Sequence, residues 1–289
     1  MLTASAVDRW MFAPVPERHH RWVVVALAAV VGARLATHDY AVLADLPDAM
    51  FRPPWFLDWL GGPPPAAVLV GVQVVGVVTA VVTIGLRGRR VLPFAAAWAA
   101  LVFLGGVETS AGKILHNDVL LLLASVPFLL PPVPSGTDRS GGPAVAGWHL
   151  RAAMVVVAIG YAAAGAMKLR HSGLAWVTSD NLRWVLYTGA RRASTPAPWL
   201  ARDIADHPWM ATTVAAGTIG AELLFPLAVV SRRARPWLAG VVVGLHVGVF
   251  ATLGLDYWTW VATVLVLFTP WVGRRGATPG PSVGVAPRT

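Results

Sequence analysis

A chain of 289 residues in which 56% are hydrophobic and 13% charged lies far from the soluble norm, where about a quarter of residues carry charge. The composition is that of an integral membrane protein. It contains no cysteine, which excludes disulfides, thiolate nucleophiles, iron–sulfur clusters and cysteine-based zinc sites. The net charge of +9 sits in short Lys/Arg clusters between apolar runs rather than on one basic face, so it reads as a topology signal and not as a nucleic-acid footprint.

A spanning helix takes roughly 17 to 25 predominantly apolar residues. Eight segments are candidates: 22–38, 66–86, 91–107, 117–130, 152–169, 209–230, 237–255 and 257–272. The expected fold is therefore all-α, a polytopic transmembrane helix bundle of about eight spans. The fourth segment is short and holds Pro127, which predicts a kinked or tilted helix inside the bundle. Residues 1–21 read as a cytoplasmic N-terminal segment without a removable signal peptide, 22–272 as the membrane domain, and 273–289 as a disordered, Gly/Pro-rich cytoplasmic tail.

Orientation comes from the short loops. The basic clusters at 18–21, 87–90, 231–235 and 273–275 fall on one side of an eight-span bundle, and the positive-inside rule makes that side cytoplasmic together with both termini. The loop 39–65 carries four aspartates against Arg52, as an outer loop can. The loop 170–208 departs from the rule, being outside by this count yet holding Arg170, Arg183, Arg191, Arg192 and Arg202. Within it, Ser179 is placed as the cap of a short helix with Leu182, Val185 and Leu186 on one stripe, and "PAPWLARDIADHP" forms a second short amphipathic unit. Helices of that length lie at an interface, either as a Trp-anchored connector or as a cap over a cavity that opens outward.

Ionisable side chains within spans face the bundle interior by default, where they pair or work. Here they are Arg34, Glu108, His116, Lys168, Glu222, His246 and, at one edge, Asp256. Tyr161, Gly165 and Lys168 follow one helical stripe, and the small residues Gly160, Ala164 and Gly165 suit close packing of that turn. Lys168 is then either a snorkelling anchor or a buried amine that serves as a base. In "KILHNDVLLLL", Asn117 or Asp118 could cap the helix, and His116 could orient or exchange protons with a neighbour. Glu222 and His246 are either a mutually satisfied structural pair, or a proton path or polar wall to a cavity. The chain has no Walker loop, Rossmann fingerprint, paired-His zinc motif or nucleophile elbow, and no metal site is expected.

Four stretches in order, "HNDVLLLLASVPFLLPP", "YAAAGAMKLRHSGLAW", "ELLFPLAVV" and "HVGVFATLGLDYW", resemble the HTTM family, the membrane domain shared with vitamin K-dependent gamma-carboxylase. The likeness runs over most of the chain, from about Trp22 to Trp271. It implies a multi-span fold with an outward-facing site, and a lysine that deprotonates a hydroquinone. Oxygen then converts the quinol into a stronger base, which takes a proton from a glutamate side chain before carbon dioxide adds. Carried onto this sequence, the resemblance makes Lys168 the base with His116 and His246 in support, and sets Asn117, Asp118, Tyr161, Trp176 and Glu222 around the quinone.

The implied cofactor is a reduced quinone, vitamin K hydroquinone or menaquinol, with oxygen and carbon dioxide as co-substrates. The implied partners are the lipid bilayer and a peptide or small-molecule acid, without nucleic acid. No large soluble domain follows the last span, so carboxylation of a propeptide-bearing protein is not expected. The Ala-, Val-, Gly- and Arg-rich composition suits a bacterial plasma membrane. The competing expectation is a non-catalytic transporter or partner subunit in which the same groups are structural. The two differ at Lys168, which an enzyme turns into a lipid-accessible cavity and an anchor turns toward headgroups.

Overall fold

In the computed structural model, which describes residues 4–86, 88, 90–111, 117–138 and 141–269, the chain is an all-α bundle with one small sheet. The basic cluster at 273–275, the tail 273–289 and the end of the eighth apolar segment lie outside the described residues, as does His116. Five helices are long and apolar enough to cross a membrane, as in an integral membrane protein: α2 (Glu17–Thr37), α3 (Ala66–Gly85), α4 (Val91–Thr109), α6 (Trp148–Ser172) and α12 (Arg235–Leu253). The other three predicted segments are helical but shorter. One is α5 (Val119–Ser125), which tightens at Pro127 into the 3-10 turn Val126–Leu129. Another is α10 (Pro208–Leu224), which breaks at Phe225 and Pro226 and resumes as α11 (Leu227–Val230). The last is α13 (Trp258–Phe268).

Both interruptions follow from proline, which lacks the N–H that an α-helix interior needs. The short α11 then ends with the carbonyls of Ala228 and Val229 to be satisfied, and the buried guanidinium of Arg235 donates to both, at 2.8 and 3.1 Å. A residue counted above as a topology charge is thus also a structural clamp. Gln73 plays the same part on α3, its amide donating to Leu35 O at 2.7 Å and His38 O at 2.9 Å where α2 ends. Such side chains replace the water that orphan helix-end carbonyls would otherwise bind.

The helices α2, α3 and α4 pack together, and Gly76 is the contact point. A Cβ there would stand 2.6 Å from Leu35 Cδ1 and 2.8 Å from Ala100 Cβ, so only glycine admits this approach. A second group is built from α6, α10, α12 and α13, and α5 and α13 tie it to the first.

Two features add to the sequence reading. The N-terminal segment is structured, with an amphipathic helix α1 (Ala4–Phe12) followed by β1 (Pro14–Pro16), and α2 starts at Glu17, five positions before the predicted boundary. The strand β1 pairs antiparallel with β3 (Pro143–Ala146), which also pairs with β2 (Pro134–Thr137). Arg151 locks this corner by donating to Met11 O at 2.8 Å and Ala13 O at 2.7 Å.

Candidate functional site

The stripe Tyr161, Gly165, Lys168 on α6 faces α10. At Gly165 a Cβ would lie 3.1 Å from Glu222 Cβ and 3.0 Å from Leu223 Cγ, so the glycine lets the two helices come close enough for side chains one turn on to pair. There the Lys168 ammonium donates to Glu222 Oε1 as an ion pair, and its Nζ stands 5.4 Å from the centre of the Trp176 ring. The Lys168 side chain is 26% exposed and that of Glu222 8%. A buried charge in an apolar wall requires a counter-charge, and this pair is net neutral.

About two turns below, Tyr161 OH and His246 Nε2 of α12 share a hydrogen bond at 2.8 Å. Around it Tyr161 meets Phe225 and Trp260 with ring centres 4.6 and 5.6 Å apart, and His246 meets Tyr257 at 5.4 Å. Glu222 and His246, which could have satisfied each other, instead each take a partner from α6. Each also keeps one buried atom, Glu222 Oε2 and His246 Nδ1, with no hydrogen-bond partner among the described residues.

These groups line one cavity of about 520 Å³. Its polar end holds Lys168, Glu222, Tyr161 and His246, with Thr218 and Asn181 also in the lining. Its aromatic faces are Trp176, Tyr257 and Trp260, and most of the remaining wall is aliphatic. A space of that size and character suits a small amphiphile with a flat polar head.

One wall comes from the loop 170–208. It folds into α7 (Ala175–Thr178), α8 (Asn181–Gly189) and α9 (Pro198–Asp206), which contribute Trp176, Asn181, Leu182, Val185, Leu186, Leu200 and Ile204. The cap of α8 is shifted by one residue from the expected place. Asp180 occupies the cap position, and the Ser179 hydroxyl accepts the backbone N–H of Asn181 at 3.3 Å.

Two of the anomalous arginines, Arg183 and Arg192, have structural partners here. Arg183 donates to Ala205 O and to Asp180 Oδ1, both at 2.7 Å, and Arg192 donates to Leu253 O at 3.1 Å, so they fasten α8 to α9 and to the end of α12. Tyr187 OH donates to Asp206 Oδ1 at 2.5 Å in the same corner, and acceptance of that proton by Asp206 holds the phenol above the ordinary tyrosine value.

The remaining predicted residues lie elsewhere. Asn117 donates to Asp256 O at 2.8 Å and its own carbonyl accepts from Thr259 Oγ1 at 2.6 Å, which ties α5 to α13 beside the cavity and not in its lining. Asp118 makes no cap hydrogen bond. Its Oδ2 accepts from Arg34 Nε at 2.7 Å, in a separate cluster with Glu108. Tyr257 and Trp260 line the cavity without having been singled out. Their signal was their spacing of three at the start of α13, which puts both rings on one face.

Fold and site together define a class: a helical membrane bundle with an amphiphile-sized cavity ended by an ion pair and a Tyr–His pair. No family model, curated protein or solved structure matches the chain.

Proposed function

We propose that the chain is a carboxylase-like integral membrane enzyme that binds a reduced quinone in the Lys168 cavity, as its resemblance to the HTTM family implies. The observation that carries the reading is the conjunction of an apolar cavity of about 520 Å³ with a buried carboxylate oxygen, Glu222 Oε2, that has no partner among the described residues. The aromatic faces of Trp176, Tyr257 and Trp260 suit a flat ring, and the aliphatic wall from α8, α9 and α12 suits an isoprenoid tail. Bound there, vitamin K hydroquinone or menaquinol would supply the electrons for oxygen reduction that generates the strong base of a carboxylation.

The residues divide the work. Lys168 and Glu222 would act together as the base: Glu222 Oε2 would take up a proton from a ring hydroxyl, and the adjacent Lys168 ammonium would offset negative charge at that end of the cavity. The Tyr161–His246 pair fixes the depth of the ring through the free Nδ1 of His246. The loop 170–208 excludes water from that end. Carbon dioxide and oxygen are the co-substrates, and the carbon acid is a peptide or small-molecule acid. In this reading the eight apolar segments all cross a bacterial plasma membrane, the termini are cytoplasmic and the cavity opens outward, as the basic clusters indicate.

The decisive experiment is solvent extraction of the protein purified in mild detergent, with mass spectrometry of the lipids, followed by anaerobic loading with menaquinol and addition of oxygen. Retained quinone and quinol oxidation that Glu222→Gln abolishes are expected. A protein that retains no quinone and oxidises none overturns this reading and favours the non-catalytic one.

A further inference from the structure

A second cavity, of about 490 Å³, lies at the end of the bundle that carries the basic clusters. It is formed where α2 begins, where α4 begins and beyond the 3-10 turn at Pro127, and it is separate in its lining from the Lys168 site. Arg21 and Arg90 face into it from two different helices. The carboxylate in its lining, Glu17, is exposed one turn before Arg21. The arginine charges therefore outnumber the acidic charge of the lining by one.

Three polar features there lack what they would normally have. His20 is 93% buried, lines the cavity, and its Nε2 has no hydrogen-bond partner among the described residues. Arg90 uses Nη2 on Leu86 O, which leaves Nε and Nη1 buried and without a partner among the described residues. Arg90 also occupies the N-cap position just before α4, a helix of 19 residues with no side-chain cap hydrogen bond, so the positive end of its dipole is open at the same place. Buried donors are rarely left unmade, because each costs on the order of 1 to 3 kcal/mol. All three features are donors or, in His20, a group able to donate, and all would be completed by one anion.

We propose that this cavity binds a phosphate group between Arg21, Arg90, His20 and the first turn of α4. Its remaining lining, Val24, Val91, Leu92, Phe128, Pro131 and Pro132, is apolar, which fits a phosphate attached to acyl chains better than a free ion. The positive-inside rule puts this end at the leaflet surface where anionic lipids collect, so the expected ligand is an anionic phospholipid headgroup. The assignment is independent of the quinol reading.

The test is native mass spectrometry of the intact protein in zwitterionic detergent with equimolar phosphatidylglycerol and phosphatidylcholine, repeated with millimolar inorganic phosphate as competitor. Wild-type protein should retain the first phosphatidylglycerol at least tenfold over phosphatidylcholine. Arg21→Gln/Arg90→Gln should lose that preference, whereas Arg232→Gln/Arg233→Gln, on the same basic side, should keep it. Displacement of the lipid by inorganic phosphate at low millimolar concentration would assign the site to free phosphate. Equal retention of the two lipids by wild type with no effect of phosphate overturns the proposal, and this arm stands even where the double variant does not fold. Unchanged preference in a folded Arg21→Gln/Arg90→Gln variant overturns it as well.

Discussion

Two buried ionic clusters of this bundle, at Arg34 and at Lys168, differ in what surrounds them. Around Arg34, Glu108 and Asp118 accept from the guanidinium at 3.2 and 2.7 Å, and His38 Nε2 stands 3.2 Å from the other oxygen of Glu108. That cluster draws one residue each from α2, α4 and the start of α5, with His38 at the end of α2, and none of them lines the Lys168 cavity. Around Lys168 the charges are fewer, but the pair borders a cavity of about 520 Å³ and aromatic rings. Each cluster also leaves one carboxylate oxygen without a partner among the described residues, Asp118 Oδ1 in the first and Glu222 Oε2 in the second. A buried charge or an orphan acceptor is therefore not the signal of a site. The signal is an orphan acceptor beside room for a ligand.

The largest effect tests the first cluster. Arg34→Leu leaves Glu108 and Asp118 as two carboxylates side by side without a guanidinium, which should cost roughly 3 to 5 kcal/mol. In detergent this appears as a large fall in melting temperature or as failure to purify a monodisperse protein. Lys168→Met removes a partner from a single carboxylate, which can take up a proton and become neutral, so its cost should be nearer 1 to 3 kcal/mol. Equal destabilisation by the two would make both clusters staples and end the distinction.

The next effect lies on chemistry. Glu222→Gln keeps the shape and a hydrogen bond to Lys168 but removes the proton acceptor, so quinol oxidation should fall by about 100-fold or more with a small change in melting temperature. Glu222→Leu should melt lower than Glu222→Gln, because it leaves the ammonium without any acceptor. Lys168→Arg should not restore activity, since the guanidinium fork is larger and cannot reproduce a single-point contact with Oε1. Should Glu222→Gln retain wild-type turnover, the proton leaves by another group and the proposed role of the pair falls.

Smaller again is the effect of separating α6 from α10. Gly165→Val places new atoms against Glu222 Cβ and Leu223, whose nearest approaches to a Cβ are already 3.1 and 3.0 Å. Overpacking of this kind costs about 1 to 3 kcal/mol. It should also pull Lys168 away from Glu222 and lower quinone retention, whereas Gly105→Val, where nothing lies within 4 Å, should do neither.

The contrast between the clusters was only half legible in the sequence. The Tyr161, Gly165, Lys168 stripe was readable because a helix fixes i, i+4 and i+7 on one face, and the apolar segments were readable because a bilayer demands long uncharged runs. Partner choice was not. Whether Glu222 meets His246 or Lys168 depends on how α10 and α12 are rotated about their axes, which no local rule sets. Asp118 stood where a cap belongs and was drawn off by Arg34, 84 positions away. The sheet was hidden because its strands are three or four residues long, begin with proline and carry no alternation. Among the arginines of 170–208, Arg183 and Arg192 bond carbonyls of α9 and of the end of α12, a structural use that charge counting cannot read.

The smallest effect concerns Tyr40, which packs against the Arg34 cluster just beyond α2. Its ring is fully buried, 4.6 Å from His38 and 5.9 Å from the Arg34 guanidinium carbon, yet its hydroxyl has no hydrogen-bond partner among the described residues. Tyr40→Phe keeps the ring and removes an unsatisfied polar atom, so stability at neutral pH should be unchanged or higher by up to about 1 kcal/mol. Burial, aided by Glu108 and Asp118 and opposed by Arg34, pushes the phenol above its ordinary value of about 10. A raised acid contributes stability that is whole below the unfolded value and declines as pH rises from there toward the folded one. Wild-type protein should therefore lose melting temperature above pH 10 faster than Tyr40→Phe, with the two curves parallel below it. Superimposed alkaline limbs would mean that the hydroxyl is reached by solvent, and the Arg34 cluster would then be as open as the Lys168 site.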